Sequence, residues 1–227
     1  MIRPLAFAVL VSLLSAPLAR AADQPGYDFV LRSGNFELYQ KTSIGDADLI
    51  AFRGIGVIEA TPVEVATAIL DREHRPEWMH DTYGLRTVRV NRPGQFVEYC
   101  AIKTPFIIKN RDFVIETTVD VDPTRTKILI VSKSVVDPDA PETSAVRGQM
   151  NEGRFTIEPG PVAGTTRITA DMDVDPKGSC PRWIVNKYQR NWPGGMFHAM
   201  RGFLARKVAT LPEDLKPLFA PAVPRKP

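Results

Sequence analysis

Alternation of apolar and polar residues predicts that most of the chain is β-sheet. In 166–174 every second residue is apolar or Thr, and the residues between them are Arg, Thr and Asp. This period of two is typical of a strand with one buried and one solvated face. Residues 112–121 repeat it, and weaker patterns predict further strands at 36–43, 48–59, 84–91, 95–103, 127–136 and 144–158. Residues 22–35 have no clear pattern.

One helix is predicted after the first strands. Thr61 can cap its N-terminus, Pro62 suits the first helical position, and Glu64 completes a capping box. Apolar residues then recur at helical spacing, and we expect this helix to end before Pro76.

A second, longer helix is predicted near the C-terminus, from Pro181 past Arg206. The sequence Pro193-Gly194-Gly195 lies in its middle and is expected to bend or break it. The second half of the helix would then be able to move as a lid.

The order of these elements indicates an α+β fold. Consecutive strands joined by short turns form an antiparallel sheet, and such a sheet needs a cover for its apolar face. The long C-terminal helix is the largest cover available. A curved antiparallel sheet wrapped around that helix would leave an internal hydrophobic cavity between them, where a ligand would bind.

The N-terminus has the three parts of a secretory signal peptide. Arg3 gives a basic start, residues 5–14 are almost wholly apolar, and Ala19 and Ala21 form a small-x-small cleavage site. The apolar run is too short to span a ~30 Å hydrocarbon core. The alternative is a buried N-terminal helix. We expect a signal peptide at 1–21, one domain at 22–211 and a Pro-rich tail at 212–227 in a periplasmic or secreted protein.

The charge balance narrows the choice of partners. The chain has 29 basic and 26 acidic residues, and the loss of Arg3 and Arg20 with the signal peptide would leave a net charge near +1. This is not the strongly basic surface of a nucleic-acid-binding protein. It also gives no strong overall attraction to anionic lipid heads.

Two cysteines, Cys100 and Cys180, leave two alternatives open. The expected compartment permits a disulfide between them. They would otherwise be two separate buried thiols, because sequence spacing does not show that they meet.

Three stretches, in the right order and spacing, resemble the START (steroidogenic-acute-regulatory-related lipid transfer) family. Residues 68–78 resemble its helix end and Arg-x-x-Trp segment. Residues 99–114, YCAIKTPFIIKNRDFV, resemble its Pro-Phe and Asn-Arg-Asp-Phe-Val block, and 181–186, PRWIVN, resemble the opening of its last helix. The resemblance covers roughly 36–208. It departs at Met79, where many relatives carry Asp.

This resemblance implies a helix-grip fold, and with the predicted signal peptide it indicates an exported bacterial member of the family. Such a protein binds one sterol, phospholipid or similar amphiphile in a tunnel under the last helix. It needs no catalysis and no cofactor. A monomer with transient membrane contact is expected.

Two arginines are the charged candidates for ligand contact. Arg75 matches the arginine that meets phosphate in phospholipid-binding relatives, and Arg111 matches one that faces the cavity in sterol-binding relatives. Alternation also puts Arg111 on the same face as Phe113, with Asp112 facing away. The alternative is a structural salt bridge of Arg111 with Asp112 or Glu98. If it binds ligand, Arg111→Met should leave the protein folded but weaken amphiphile binding.

The remaining candidates are aromatic or polar side chains that would line the cavity or the core: Trp78, Tyr99, Trp183, Asn186 and Phe197. The three histidines, His74, His80 and His198, match no familiar zinc motif, so no metal site is predicted.

Three functions remain in competition. The first is a non-enzymatic carrier or sensor of lipid. The second is a cyclase or hydrolase on the same scaffold, which would need an acid/base pair such as Asp112 with Arg111 or Glu98 with Tyr99. The third is an interaction module with a filled core.

The predicted signal peptide has a direct test. Protein from the periplasmic fraction should begin at Ala22 when its N-terminus is sequenced, because export is followed by cleavage after Ala21. Soluble, folded protein that still carries Met1 would contradict this.

Overall fold

Ten strands, three α-helices and two short 3₁₀ helices form the part of the chain that the computed structural model describes, residues 24–41, 51–79, 81–104, 108–179 and 181–220. The strands are β1 Tyr27–Ser33, β2 Phe36–Lys41, β3 Phe52–Ile58, β4 Thr82–Arg92, β5 Gln95–Ile102, β6 Arg111–Val121, β7 Ile128–Ser134, β8 Val146–Arg147, β9 Gln149–Pro159 and β10 Thr166–Asp175. The helices are α1 Pro62–Leu70, α2 Arg182–Ala205 and α3 Lys216–Phe219, with 3₁₀ helices at Arg75–Glu77 and Glu213–Leu215.

All ten strands belong to one curved sheet in the order β1-β2-β3-β10-β9-β7-β6-β5-β4. Every neighbouring pair on this path is antiparallel, while the short β8 pairs in parallel with β6. The α+β class and the curved antiparallel sheet with a C-terminal helix are therefore confirmed.

The first strand, β1, is the element that the alternation did not predict. It lies at an edge of the sheet and pairs only with β2 among the described strands. Most of its side chains, including Phe29, are at least partly exposed. A strand without a well-buried face has no reason to alternate, so its sequence carries no period-two signal.

Helix α1 has the predicted capping box. The Glu64 amide donates to Thr61 Oγ1 at 3.3 Å, and the Thr61 amide donates to Glu64 Oε2 at 2.8 Å. The helix ends at Leu70, earlier than Pro76. The buried Asp71 caps it and accepts a 2.7 Å hydrogen bond from the Thr210 amide, which ties the end of α1 to the segment after α2.

Helix α2 runs through Pro193 without a break, so of the bend or break expected there, the break does not occur. Its second half lies directly on β3. A Cβ built on Gly54 would lie 2.9 Å from Pro193 Cβ, and one built on Gly56 would lie 2.5 Å from the ring of Phe197.

That second half belongs to the main hydrophobic core, where its apolar side chains are buried: Met196, Phe197, Met200, Phe203 and Leu204. Opening this half as a lid would expose these core side chains, so the packing counts against the expected lid. The cavity described below lies under the first half instead.

The segment after 211 is also part of the folded domain as far as residue 220. Leu215 is fully buried, and Asp214 accepts a bidentate hydrogen bond from Arg72 at 2.8 and 3.0 Å. The packed unit therefore extends beyond the expected boundary at 211. Residues 221–227 of the Pro-rich tail, like the signal-peptide segment 1–21, lie outside the described residues.

Close packing of α2 on β3 predicts that Gly56→Ala destabilises the fold. The added methyl group would overlap the Phe197 ring, and such overpacking costs about 1–3 kcal/mol. Urea unfolding measures the change in free energy.

Gly195→Ala is the matched control, because a Cβ there has no described heavy atom within 4 Å. Replacing a glycine within a helix by alanine should raise stability by up to about 1 kcal/mol. Equal effects of the two substitutions would contradict the close approach of α2 to β3.

Candidate functional site: an internal cavity with buried charges

A cavity of about 250 Å³ lies between the sheet and the first half of α2. Its wall is mainly apolar, since alternate residues of β5 and β6 face it while the residues between them face outward. The β5 and β6 residues are Phe96, Glu98, Cys100, Ile102, Arg111, Phe113, Ile115 and Thr117, and α2 contributes Ile184, Val185, Tyr188 and Trp192.

Arg75 and Glu98 form a buried ion pair in this wall. Arg75 comes from the 3₁₀ helix after α1 and Glu98 from the middle of β5, and Arg75 Nη1 donates to Glu98 Oε1 at 2.6 Å. Both side chains are almost fully buried. Arg75 Nε and Glu98 Oε2 have no hydrogen-bond partner among the described residues.

Trp78 adds a third polar atom of this kind. Its indole ring is buried and lines the same cavity, and its Nε1 has no described hydrogen-bond partner. An unsatisfied buried polar group costs about 1–3 kcal/mol. Arg75, Trp78 and Glu98 all line the cavity, and each has one buried polar atom without a described partner.

Arg111 lies further along the wall and faces the cavity together with Phe113, as the alternation predicts. Its guanidinium donates to three backbone carbonyls, those of Pro176 at 3.2 Å, Lys177 at 3.0 Å, and Lys109. Arg111 thus joins the loop before β6 to the turn between β10 and α2.

Neither expected salt bridge of Arg111 exists, because Asp112 binds Arg147 and Glu98 binds Arg75. Within the described ranges, Arg111 forms no ion pair with a carboxylate.

Tyr99 lies on the outer face of the sheet rather than on the cavity wall, which corrects its expected position. Its hydroxyl donates to the fully buried Asp112 at 3.1 Å. Thr143 Oγ1 at 2.7 Å and Arg147 Nε at 2.8 Å also donate to Asp112. Burial alone would raise the pKa of Asp112, but these hydrogen bonds outweigh it and hold the pKa below its ordinary value.

Two further aromatic candidates lie away from the cavity lining. Trp183 is 67% exposed on the outer surface of α2. Phe197 is buried in the core, where its ring packs against Phe36 with centroids 5.1 Å apart. Trp78 is thus the aromatic candidate that the structure places in the cavity wall. The side chain of Asn186 lies outside the described part of the structure.

Cys100 is a buried free thiol on the cavity face of β5, while Cys180 lies outside the described residues. A free Cys100 favours the alternative of two separate thiols, and the burial of Cys180 stays a prediction. Burial, with a contribution from the nearby Glu98 carboxylate, raises the pKa of Cys100 to about 11. The thiol therefore stays protonated at neutral pH and is a poor nucleophile.

The histidines within the described ranges do not form part of a metal-binding cluster. His74 Nδ1 binds the Asp71 carboxylate at 2.8 Å, and His80 is not among the residues described. The described side chains contain no group of three or more metal-ligating residues. In the same part of the chain, no helix is long and apolar enough to cross a bilayer.

Glu98 and Tyr188 are the contributors that sequence reasoning undervalued. Glu98 appeared there only as a salt-bridge or catalytic partner. Its signal was available, since a carboxylate between Phe96 and Cys100 on the apolar face of a strand needs a buried partner. Tyr188 donates to Asp81 at 2.7 Å across the edge of the cavity, a contact between residues 107 positions apart that no local pattern reveals.

The three carbonyl contacts of Arg111 predict a loss of stability in Arg111→Met. Methionine has the length to fill the space but leaves three acceptors without their donor, so the ligand-free protein should lose about 3 kcal/mol of unfolding free energy. Chemical denaturation of delipidated protein measures this change.

Arg92→Met is the control, because the exposed Arg92 donates its Nε only to the Gln95 side chain, at 2.9 Å. It should change stability by less than about 0.5 kcal/mol. An Arg111→Met protein as stable as this control would show that Arg111 has no structural role and would leave ligand contact as its remaining explanation.

Comparison with known proteins gives the family. The START domain model matches residues 32–209. Over 147 residues the chain is 29% identical to Phosphatidylcholine transfer protein of Mus musculus, covering 63% of this chain and 67% of that protein. The fold matches human STARD10 with a TM-score of 0.74 at 22% identity, covering 87% and 81% of the two chains. It also matches a STAR-related lipid transfer protein fragment from Xanthomonas axonopodis with a TM-score of 0.68 at 22% identity, covering 79% and 99%. The chain belongs to the START domain family.

Proposed function

We propose that this protein binds one amphiphilic lipid in the cavity and serves as a non-enzymatic carrier or sensor of that lipid. The observation that carries the proposal is the group of three unpartnered polar atoms, on Arg75, Trp78 and Glu98, whose side chains line a mainly apolar wall. An amphiphile supplies both of the required components, a polar group for these atoms and an apolar body for the rest.

The polar atoms suit a zwitterionic phospholipid head. Arg75 Nε and Trp78 Nε1 are donors and would bind phosphate oxygens, while Glu98 Oε2 is an acceptor and would attract the cationic amine. The similarity to the mouse phosphatidylcholine transfer protein supports the same class of ligand. A hydroxyl group, as in a sterol, both donates and accepts and is the competing head group.

The apolar part of the ligand would lie along β5, β6 and α2. Phe96, Phe113 and Ile115 line the sheet side, and Ile184 and Val185 line the helix side. Removing an acyl chain from water contributes about 0.8 kcal/mol per buried CH₂. The apolar wall therefore supplies affinity, and the few polar atoms select the head group.

A catalytic role has less support. The acid/base pairs suggested by the sequence do not meet in the cavity, because Asp112 and Tyr99 bind each other on the outer face of the sheet. The Cys100 thiol is held protonated by its raised pKa. An interaction module with a filled core is disfavoured by the cavity itself.

We place this activity in the periplasm on the basis of the predicted signal peptide at 1–21. In that compartment a soluble carrier would protect the apolar chains of a lipid from water.

A double-substitution cycle at the buried ion pair separates binding from stability. Arg75→Met and Glu98→Leu should each lose about 3–5 kcal/mol of unfolding free energy, because each leaves one buried charge without its partner. The double variant should regain most of that loss, since two apolar side chains replace the pair. It should nevertheless bind lipid at least tenfold more weakly, as measured by titration with a fluorescent phosphatidylcholine.

Mass spectrometry of the organic extract identifies the lipid that copurifies with the wild-type protein. A phospholipid supports the zwitterionic head group, a sterol-like species supports the hydroxyl, and an empty wild-type protein that binds neither in titration contradicts the proposal. The Arg53→Met/Asp171→Leu double variant is the control. It removes another ion pair, 2.6 Å long and away from the cavity wall, so lipid affinity should not change.

A further inference from the structure

The two unpartnered donors of the cavity wall lie on one short segment. Residues 71–79 follow α1, carry both Arg75 and Trp78, and are called the donor segment below. Backbone hydrogen bonds make this segment compact. The Arg75 amide donates to the Asp71 carbonyl at 3.0 Å, and the Trp78 amide donates to the Arg75 carbonyl at 3.2 Å. The placement of both donors in the cavity therefore depends on what holds this segment against the domain.

Residues 210–219, called the C-terminal strap, hold the start of the donor segment. The Thr210 amide donates to Asp71 Oδ2 at 2.7 Å. The other carboxylate oxygen of Asp71, which is almost fully buried, accepts from two backbone amides of the donor segment. Arg72 donates through both terminal nitrogens to the two carboxylate oxygens of Asp214, at 2.8 and 3.0 Å. The strap is thus bound to the first two residues of the donor segment.

The C-terminal strap is itself fixed to the sheet. Leu215 is fully buried in the main core. Leu218 packs on the turn between β4 and β5, where a Cβ built on Gly94 would lie 2.8 Å from its Cδ1. Arg125, in the turn between β6 and β7, donates to the Phe219 carbonyl at 3.5 Å. A segment with these contacts can act as a rigid support for the residues that it holds.

The pair of Arg72 and Asp214 is the main side-chain link in this support. Its side chains are only 16% and 23% exposed, and the Arg72 guanidinium also lies 4.3 Å from the centre of the Phe96 ring. A bidentate pair of this kind fixes orientation as well as charge. Arg206 also pairs with Glu77 of the donor segment, but these side chains are 50% and 41% exposed, so their pairing contributes little.

We propose that the C-terminal strap is a positioning element that sets the selectivity of the cavity for the lipid head, through its hold on Asp71 and Arg72. Thr210 and Asp214 do not line the cavity, so they act through the donor segment. Polar recognition needs side chains held within about 0.5 Å, whereas apolar burial is non-directional. A loosened donor segment therefore loses head-group selection before it loses affinity for acyl chains. The inference rests on the proposed function, and it concerns a strap that lies beyond the family match at 32–209.

Asp214→Asn tests the inference, because it keeps the shape of the side chain and removes its charge. The probes are a fluorescent phosphatidylcholine and a fluorescent diacylglycerol with the same acyl chains. Affinity for phosphatidylcholine should fall about 5- to 10-fold, and affinity for diacylglycerol less than about twofold. A smaller folded fraction would lower both affinities by the same factor, so it leaves their ratio unchanged. Lys216→Ala is the control, since it breaks an ion pair with Glu213 inside the strap and should keep the wild-type ratio.

Coupling to Arg75 gives a second readout. In the Arg75→Met/Glu98→Leu background, Asp214→Asn should change the affinity for phosphatidylcholine by less than about twofold, because the main group that the strap positions is already missing. The same 5- to 10-fold loss in both backgrounds would overturn the inference, since the strap would then act independently of Arg75.

Amide hydrogen exchange of the lipid-free protein, followed by NMR, separates this inference from the proposed function. In Asp214→Asn the amides of Arg75 and Trp78 should exchange at least about fivefold faster, while those of β10 stay as in Lys216→Ala. Unchanged exchange at Arg75 and Trp78 would overturn the inference. So would a wild-type preference for phosphatidylcholine that Asp214→Asn retains, and this result would leave the proposed function intact. A wild-type protein with no such preference would instead contradict the proposed head group, and the exchange rates would still decide whether the strap holds the donor segment.

Discussion

The close approach of α2 to β3 determines where the cavity lies. Two glycines, Gly54 and Gly56, remove the side chains that would otherwise separate helix from strand, and Pro193 and Phe197 occupy the space. A helix of 24 residues is about 36 Å long. The first half of this helix lines the cavity, while its second half packs on β3. The space under the first half of α2 is the lipid cavity.

Pro193 illustrates how this constraint overrides local preference. A proline within a helix removes one hydrogen bond and costs about 3 kcal/mol, so the sequence suggested a break followed by a movable segment. The helix is continuous instead, and the buried ring of Pro193 contacts β3 at Gly54. The contact is between residues 139 positions apart in the chain, and local spacing therefore carried no sign of it.

Sequence predicted best which side chains of a single strand face the cavity, because this follows from the alternation of inward and outward residues. It placed Arg111 and Phe113 inward and Asp112 outward, and the structure agrees. In β5 the same alternation makes Tyr99 an outward residue if Glu98 lies on the apolar face. The charge of Glu98 among Phe96, Cys100 and Ile102 made that assignment hard to see from sequence. The partners of Arg111 could not be predicted from sequence, because two of them are backbone carbonyls of a turn about 65 residues later. Backbone acceptors have no residue type by which a sequence can reveal them.

The two halves of α2 have different surroundings, and this difference accounts for the unpartnered polar atoms and the unpaired cations near its first half. Its C-terminal end and the residues just after it lie close to Val57, Glu64 and Glu77, so the cations there find partners within the domain. The first half covers a cavity rather than packed core, and its exposed cations Lys187 and Arg190 form no ion pair with a described residue. In the cavity wall, the ion pair of Arg75 and Glu98 leaves one polar atom of each side chain without a described hydrogen-bond partner. A pair of charges buried in this way gives little net stability, because desolvation offsets much of its attraction. The charge that the fold leaves partly uncompensated under the first half of α2 is therefore available to the polar group of a ligand.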